Sequence, residues 1–473
     1  MATTPSPGNS INLRLRYPNV TGALSKLAKA ISDAGGSIGS IEVIDSDRTH
    51  ITRDIVVDTT GEQQAQYILD AVQAVPLVQV LEYYDRTFRL HEGGKLEVIS
   101  KTRLTDYVDL SMAYTPGVAR VCTAIQKDPS LAREYTIRRN TVGIVTDGTA
   151  VLGLGDIGAL ASLPVMEGKA VLFKEFGGVN AFPVCIDTKD PEVLLECARA
   201  TAVQYGGINL EDIAAPVCFD IERRLTQAVD IPVFHDDQHG TAVVVGAAFV
   251  NAVKVTGKNP SEMRAVVCGA GAAGVACSRA LLDLGIGDIV VCDRGGAIYR
   301  GRERLTSAKS WLADCTNKDN IQGSPADVLR GADLFLGLSG PNILTGEDIR
   351  RMAAEPIVFA LSNPTPEVPP EEVAGYASVI ATGRSDYANQ INNVLCFPGL
   401  FRGLLESGVK RVTREMLTSA ARAIASVIGE DELRPDYIIP SPFNELVSQA
   451  VSGVVMDVAA DPSVSRTPIY FEF

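Results

Sequence analysis

In the first part of the chain, apolar residues alternate with polar residues in some segments and recur at helical spacing in others, which predicts short strands and amphipathic helices. Ile11, Leu13 and Leu15 alternate with polar residues, as in a half-buried strand. Apolar residues then recur at helical spacing over 20–31. The other predicted elements are strands over 37–44 and 50–57, a helix over 62–74 and a strand over 77–83. The predicted order is βαββαβ, a ferredoxin-like arrangement over residues 11–88.

After residue 93 the pattern changes to short apolar runs separated by glycine-containing turns and helical stretches. Strand-like runs lie at 265–268, 288–293, 334–338, 357–361 and 379–382. This alternation is typical of a doubly wound parallel sheet, so the whole chain is predicted to be α/β. The expected domains are a disordered tail (1–10), the ferredoxin-like domain (11–88), a catalytic domain (89–240), a dinucleotide-binding domain (241–442) and a C-terminal helical segment with a tail (443–473).

A glycine-rich turn with G-x-G-x-x-G spacing follows the first run of the predicted sheet. Gly269, Gly271 and Gly274 lie between that run and a helical stretch, the setting in which such glycines let the backbone approach a pyrophosphate. The next strand ends at Asp293, whose carboxylate can bind a ribose 2′-hydroxyl and would repel a 2′-phosphate. The pattern predicts an NAD site, with NADP as the alternative because Arg294, Arg300 and Arg302 lie close in sequence and can bind a phosphate.

Composition and charge exclude several classes of partner. The formal net charge of −14 is spread along the chain and no basic cluster indicates nucleic acid. The acidic balance disfavours anionic membranes, and no uninterrupted apolar run reaches membrane-spanning length. The nine cysteines are scattered without a C-x-x-C pair, which is typical of reduced thiols in a cytoplasmic protein. The N-terminus has neither the basic nor the apolar region of a secretory signal.

Two acidic pairs are the candidate metal ligands. Glu211-Asp212 and Asp236-Asp237 both adjoin apolar, strand-like runs. We therefore expect them to be less exposed than most acidic pairs. Carboxylates suit hard cations such as Mg²⁺ or Mn²⁺.

Two histidines flank the second acidic pair. His235 and His239 have the i, i+4 spacing found at zinc sites, but no glutamate completes an H-E-x-x-H motif. A structural or orienting role is therefore favoured for both histidines.

Seven segments, in order along residues 93–450, resemble the short bacterial type of malic enzyme. They are LSMAYTPGVARVC (110–122), VTDGTAVLGLGDIG (145–158), LPVMEGKAVLFKEFGG (163–178), INLEDIAAP (208–216), FHDDQHGTA (234–242), ALSNPTPE (360–367) and TGRSDYANQINNVLCFPG (382–399). In the N-terminal unit, the stretch YPNVTGAL (17–24) resembles the start of ACT domains, which sense small ligands such as amino acids. A ferredoxin-like domain that serves only for dimer contacts is the other interpretation of that unit.

The resemblance implies a role for each residue that matches a family motif. It implies Tyr114 as general acid, Lys169 as general base, Glu211, Asp212 and Asp237 as ligands of Mg²⁺ or Mn²⁺, Asp236 as a supporting acid, and Asn363 and Asn393 as contacts of substrate and nicotinamide. Lys174 is a second candidate base. The interpretation that it is a solvated or ion-paired lysine without a catalytic role is equally favoured.

A few positions depart from the wider family. Larger members carry an arginine for the malate carboxylate where this chain has Ala150, and Arg384 is the candidate replacement. Ala388 stands where proline is expected, and Asp156 where short members often have asparagine. Neither of these two changes removes a group that the chemistry needs.

The resemblance implies oxidative decarboxylation of (S)-malate to pyruvate and CO2 with reduction of NAD, and decarboxylation of oxaloacetate as a partial reaction. The alternatives are a non-oxidative oxaloacetate decarboxylase and a catalytically silent metabolite sensor. We expect the site in the cleft between the catalytic and dinucleotide domains. We also expect a homodimer or higher homo-oligomer and a small-molecule effector at the ACT-like domain.

Overall fold

A computed structural model of the chain describes residues 5–151 and 153–473. These residues form two compact units, the first ending at Glu97 and the second spanning Val98–Phe473.

The first unit is a four-stranded antiparallel sheet with helices. Its elements are β1 (Ser6–Pro18), α1 (Ala23–Asp33), β2 (Ser37–Ser46), β3 (His50–Thr59), α2 (Glu62–Gln73), β4 (Gln79–Asp85) and α3 (Arg86–His91). The strand order is β2-β3-β1-β4. Leu13 and Leu15 of β1 share one core with Leu27 and Ile31 of α1, as their hydrophobic periods predict. The predicted ferredoxin-like βαββαβ fold is confirmed. The short helix α3 follows this fold, and the Asp85 side chain caps the first turn of α3.

The prediction of a disordered tail over 1–10 is wrong for its second half. β1 begins at Ser6, and Ser10 pairs with Asp58 of β3 and is buried. β1 begins before Ile11, where the alternation of apolar and polar residues starts, because β3 continues to Thr59 and provides backbone hydrogen-bond partners for these residues. Residues 1–4, the rest of this prediction, lie outside the described residues.

The second unit begins with three short helices that carry a largely exposed apolar surface. They are α4 (Tyr107–Ala113), α5 (Val118–Lys127) and α6 (Leu131–Tyr135), and none contains a buried residue. We call residues 98–137 the arm. Its exposed large apolar side chains are Val98, Ile99, Leu104, Tyr107, Val108, Leu110, Met112, Tyr114, Val121, Tyr135 and Ile137. A monomer rarely exposes so many apolar side chains in one segment without a partner surface.

A parallel sheet follows the arm. Its elements are β5 (Thr141–Thr146), α7 (Ala159–Gly177), β6 (Asn180–Cys185), α8 (Pro191–Thr201), β7 (Gly207–Leu210), α9 (Val217–Ala228), β8 (Val233–His235) and α10 (Thr241–Thr256), with a π-helical turn at Asp236–Gly240. The strand order is β6-β5-β7-β8, and all pairs are parallel. The strand-like runs beside the two acidic pairs correspond to β7 and β8, whereas β5 and β6 were not predicted from the hydrophobic pattern.

The last sheet is the predicted doubly wound one. Its elements and the helices after it are β9 (Arg264–Cys268), α11 (Ala272–Asp283), β10 (Asp288–Asp293), β11 (Gly296–Ala297), α12 (Ser307–Cys315), α13 (Pro325–Val328), β12 (Leu334–Gly337), α14 (Gly346–Ile349), β13 (Ile357–Ala360), α15 (Pro370–Val373), β14 (Val379–Thr382), α16 (Phe397–Ser407), α17 (Arg414–Ser426) and α18 (Glu445–Ala460). The order is β11-β10-β9-β12-β13-β14, parallel except for the β10–β11 pair.

Both parallel sheets contribute to one continuous hydrophobic core. Helix α10 connects the two sheets along the chain, and most of its residues are buried. Together with the preceding π turn, the segment Asp236–Thr256 is the one described helix long and apolar enough to cross a membrane, and 67% of its most apolar window is buried inside the protein. Such burial is typical of a core helix.

Candidate active site

The two acidic pairs meet at the carboxyl ends of adjacent parallel strands. β7 pairs with β8 so that Leu210 lies opposite His235, and the residues after each strand therefore emerge at the same edge. Glu211 and Asp212 follow β7, while Asp237 lies in the π turn after β8. One carboxylate oxygen from each of these three acids lies within 4.8 Å of the others.

The electrostatics of this acidic cluster fit a divalent cation. Burial raises the pKa of Glu211 to about 7, of Asp212 to about 9 and of Asp237 to about 6, and repulsion between neighbouring acids adds to the effect. The buried Asp212 Oδ2 has no hydrogen-bond partner among the described residues. Crowded oxygen ligands with an unsatisfied lone pair are the donor set that Mg²⁺ or Mn²⁺ prefers.

Lys169, on α7, is buried against the acidic cluster. Its Nζ lies 2.5 Å from Asp236 Oδ2, 2.8 Å from Glu211 Oε1 and 4.1 Å from the ring centroid of Phe397. Burial alone would lower the pKa of Lys169, but the charges of Asp236 and Glu211 outweigh it and the net pKa is raised. Nearby cations or desolvation would bring a lysine toward the neutral pKa that suits a general base, but the neighbours of Lys169 are anions, and they raise its pKa instead.

Asp236 connects the lysine to the dinucleotide domain. Its carboxylate is fully buried, accepts from Lys169 Nζ and also accepts from Asn393 Nδ2, in the turn before α16. Burial raises the pKa of Asp236 to about 7, although Lys169 and Asn393 oppose the rise. Gly240 leaves room for this carboxylate, since a Cβ there would lie 1.8 Å from Asp236 Oδ1. Asn393, a predicted nicotinamide contact, is thus held beside the proton-transfer residues.

The two histidines lie behind the cluster and do not form a zinc pair. His239 Nε2 lies 2.8 Å from Glu222 Oε1, and both side chains are buried. Burial lowers the pKa of His235 to about 4, and neither of its ring nitrogens has a hydrogen-bond partner in the described structure. The structural or orienting role favoured from sequence stays a prediction for both histidines, and the bond to Glu222 supports it for His239.

Glu222 and Asn209 belong to the site but were missed from sequence. Glu222 accepts the backbone N–H of His235 at 3.2 Å as well as bonding His239. Asn209 donates to Glu211 Oε2 at 2.7 Å. Both are polar residues at fully buried positions, Glu222 on the apolar face of α9 and Asn209 in a strand buried on both faces. That mismatch with the hydrophobic pattern was the available signal.

Two further candidates, Tyr114 and Lys174, form no hydrogen bond or ion pair with the acidic cluster in the described part of the chain. Tyr114 ends α4 in the arm with 69% of its surface exposed, and its side chain makes no hydrogen bond to any described residue. Lys174 is exposed and donates to Asn180 Oδ1 at 3.0 Å, as expected of a solvated lysine.

The predicted dinucleotide turn borders a large cavity. A cavity of about 1100 Å³ is lined by Gly269, Gly271 and Asp293, among others. Gly269 has φ +122°, and a Cβ on Gly274 would lie 1.9 Å from the Gly269 carbonyl oxygen. The turn therefore needs glycine at both positions, and α11 starts directly after Gly271 with its N–H groups near the cavity.

Asp293 is held by two cations at the end of β10. Its Oδ1 lies 2.6 Å from Arg302 Nη2 and its Oδ2 lies 2.6 Å from Lys309 Nζ. Partial burial would raise the pKa of Asp293, but the hydrogen bonds from Lys309 and Arg302 lower it, so the group is a carboxylate. Asp293 still lines the cavity, together with Lys309.

Asn363 and Arg384 are neighbours beyond β13 and β14. Asn363 precedes a cis proline, and Arg384 Nη1 donates to the carbonyl of that Pro364 at 2.9 Å. Arg384 also pairs with Asp386, Nε to Oδ1 at 2.8 Å. The candidate partner for a malate carboxylate is therefore already engaged by an acid of its own loop.

Comparisons with known proteins agree along the whole chain. The ACT domain family matches residues 11–77, the malic enzyme N-terminal domain residues 93–196 and the malic enzyme NAD binding domain residues 238–460. A NAD-dependent malic enzyme of Geobacillus stearothermophilus is 51% identical over 466 residues, 98% of each chain. A bifunctional malic/malolactic enzyme of Bacillus subtilis is 50% identical over 81% of this chain and 95% of its own.

Solved structures lead to the same family. A NAD-dependent malic enzyme from Thermotoga maritima is similar with a TM-score of 0.76 and 44% identity, covering 78% of this chain and 98% of its own. A malic enzyme from Pyrococcus horikoshii has a TM-score of 0.77 and 44% identity, covering 81% and 92%. The chain belongs to the malic enzyme family, the oxidoreductases that decarboxylate malate with NAD or NADP, and it carries an ACT domain ahead of the two family domains.

Proposed function

We propose that this chain oxidises (S)-malate to pyruvate and CO2 with NAD as the preferred acceptor. The observation that carries the proposal is the buried Lys169 in contact with Glu211 and Asp236, beside the three-acid cluster. Glu211, Asp212 and Asp237 would hold Mg²⁺ or Mn²⁺, and the bound cation would supply the Lewis acid that favours loss of CO2 from a β-keto acid. A sensor without catalysis would not need a buried lysine among three buried acids and a fourth, Asp237, that is partly buried.

Lys169 and Asp236 move the proton of the C2 hydroxyl. Lys169 takes it as general base, and Asp236, 2.5 Å away, accepts a proton from the ammonium when the lysine must be neutral. Asn393 keeps Asp236 in place through its hydrogen bond, and Asn363 contacts the nicotinamide or substrate.

Tyr114 supplies the proton to C3 of the enolate. Its place on the exposed apolar arm supports a homodimer in which a second copy covers this surface. The nine free cysteines support a reducing, cytoplasmic setting.

The preference for NAD depends on Asp293. Its carboxylate accepts from the ribose 2′-hydroxyl, but Arg302 and Lys309 reduce its repulsion of a 2′-phosphate. We expect wild type to use malate with NAD at higher kcat/KM than with NADP. Asp293→Ser should reverse this order, because it frees both cations for the phosphate, with a gain for NADP on the order of tenfold for one charge-assisted contact.

The test is malate plus Mn²⁺ with each cofactor, followed at the nicotinamide absorbance. Asp288→Ser, at the opposite end of β10, is the matched control and should keep the wild-type ratio. A wild-type preference for NADP above tenfold contradicts the assignment.

The ACT domain is proposed to regulate catalysis. A small carboxylate-bearing metabolite such as an amino acid binds the turn from Asn19 to Gly22, where the N–H groups of Thr21 and Gly22 precede α1 and have no backbone acceptor among the described residues. If it favours one state of the cleft, a coupling of about 1–3 kcal/mol changes malate affinity roughly 5–150-fold.

We expect a chain shortened to start after Glu97 to keep malate turnover and to lose its response to the effector. Because the arm remains, it should also stay a dimer in sedimentation. A thermal-shift screen of metabolites on both chains checks the response. If no metabolite shifts the full chain and shortening only dissociates the oligomer, the domain is a dimerisation module.

A further inference from the structure

Glu367 is a fully buried carboxylate at the carboxyl ends of β12 and β13. Its Oε1 accepts the backbone N–H of Ser339 at 2.9 Å, and its Oε2 accepts that of Ser362 at 3.1 Å. No basic side chain of the described residues forms a salt bridge with it. A buried carboxylate satisfied by two backbone donors from different loops is costly to keep, which points to a specific role.

The surrounding chain is shaped for this side chain. Gly337, the last residue of β12, leaves its space free, since a Cβ there would lie 2.3 Å from the Glu367 carboxyl carbon. The Glu367 carbonyl accepts the N–H of Leu344 at 3.1 Å, which fixes its own loop to the one after β12. Burial raises the pKa of Glu367, opposed by the N–H groups of Ser339 and Ser362.

The two loops that Glu367 joins border the dinucleotide cavity and Asn363. Leu338 and Ser339 line that cavity. The Leu338 N–H donates to the Cys268 carbonyl at 2.7 Å, and a Cβ on Gly269 would lie 2.3 Å from the Leu338 carbonyl oxygen, so this loop packs directly on the glycine turn. Ser362, on the other loop, immediately precedes Asn363.

We propose that Glu367 is a positioning residue for the dinucleotide: its carboxylate ties the loop after β12, at the cavity wall, to the loop that presents Asn363. The inference rests on the proposed function, because it takes the cavity as the dinucleotide site. Glu367 touches no reacting atom. It acts by fixing the separation between the glycine turn and Asn363, which sets where the nicotinamide end can lie.

Glu367→Gln tests this proposal with little change in size. The glutamine amide nitrogen cannot accept from a backbone N–H, so one of the two ties is lost. We expect the Kd for NADH, from its fluorescence, to rise on the order of tenfold, as for loss of one hydrogen bond to a charged group. The Kd for Mn²⁺ should stay within about twofold, because the acids that bind it lie on the other sheet.

Glu372→Gln is the matched control. Glu372 also accepts a backbone N–H, that of Gly346 at 2.9 Å, but it does not line the cavity. This variant should bind NADH and Mn²⁺ as wild type does. Unchanged NADH binding in Glu367→Gln overturns the proposal, as does an equal loss of NADH and Mn²⁺ binding, which indicates a general structural role.

Hydrogen exchange in wild type gives a second measurement that does not depend on folding of a variant. The amides of Ser339 and Ser362 should exchange slowly and at similar rates, since one carboxylate holds both, and NADH should slow both. Fast or unrelated exchange contradicts the proposal. A wild type that binds NADH with these properties but does not oxidise malate contradicts the proposed function instead.

Discussion

Replacing Lys169 with alanine should lower malate oxidation by about 10²–10⁴-fold, the usual contribution of a general base. Lys169 is the buried amine in contact with the acidic cluster, 2.8 Å from Glu211 and 2.5 Å from Asp236. Without it, no neighbouring group can take the C2 hydroxyl proton while balancing those carboxylates. Initial rates of NADH formation at saturating malate, NAD and Mn²⁺ measure the effect.

Lys174→Ala is the matched control, because Lys174 lies on the same helix but is exposed and bonds Asn180. It should keep wild-type rates. Since Lys169→Ala leaves buried acids unpaired, rates must be taken well below its melting temperature. Tyr114→Phe should instead slow exchange of the C3 protons of pyruvate with D2O, followed by NMR. Near-wild-type malate rates in both the Lys169 and Tyr114 variants would show that the two assigned roles are wrong.

Removing the cation should abolish turnover, and removing one of its ligands should lower turnover steeply. We expect excess chelator to stop malate oxidation, and Asp237→Asn to lower it roughly a hundredfold or more, since a metal Lewis acid contributes several kcal/mol. NADH binding should persist in both cases, because Gly269 and Asp293 lie on the other sheet. Asp230→Asn, an exposed acid paired with Lys410, is the control. Full activity in excess chelator would contradict the assignment of these acids as metal ligands.

The same acids predict how the effect of the cation depends on pH. The folded chain raises the pKa of Asp237, Glu211 and Asp212 to about 6, 7 and 9, above the ordinary values of 3.8 and 4.5. The metal-free folded state therefore binds protons more tightly than the unfolded state, and its stability falls as pH rises from about 4 to about 9. Binding of Mn²⁺ displaces those protons. The increase in melting temperature that Mn²⁺ causes should therefore grow from pH 6 to pH 8. An increase in melting temperature that does not change with pH argues against binding of Mn²⁺ at these acids.

Local patterns were enough to predict the parts of the molecule that depend on neighbours in sequence. The alternation at Ile11 to Leu15 identified β1, and the strand, glycine turn and helix around Gly269 identified the dinucleotide fold. The acidic pairs were recognised because each follows a strand-like run. The cluster geometry then follows from the parallel pairing of β7 and β8.

Features that depend on contacts distant in sequence could not be predicted. Asp236 is 67 positions from Lys169 and 157 from Asn393, so the local sequence could predict neither contact, nor the raised pKa of Lys169 that its anionic neighbours cause. The burial of Ser10 depends on β3. Tyr114 has the right motif, but the arm that carries it has no buried partner within the described chain.

The most direct test is the product balance of wild type with (S)-malate, NAD and Mn²⁺. If one metal-dependent site carries out oxidation and decarboxylation in turn, NADH and pyruvate should form at equal rates, oxaloacetate should not accumulate, and chelator should stop both products together. Pyruvate formed only from added oxaloacetate, with no NADH from malate, would contradict this function and identify a non-oxidative decarboxylase.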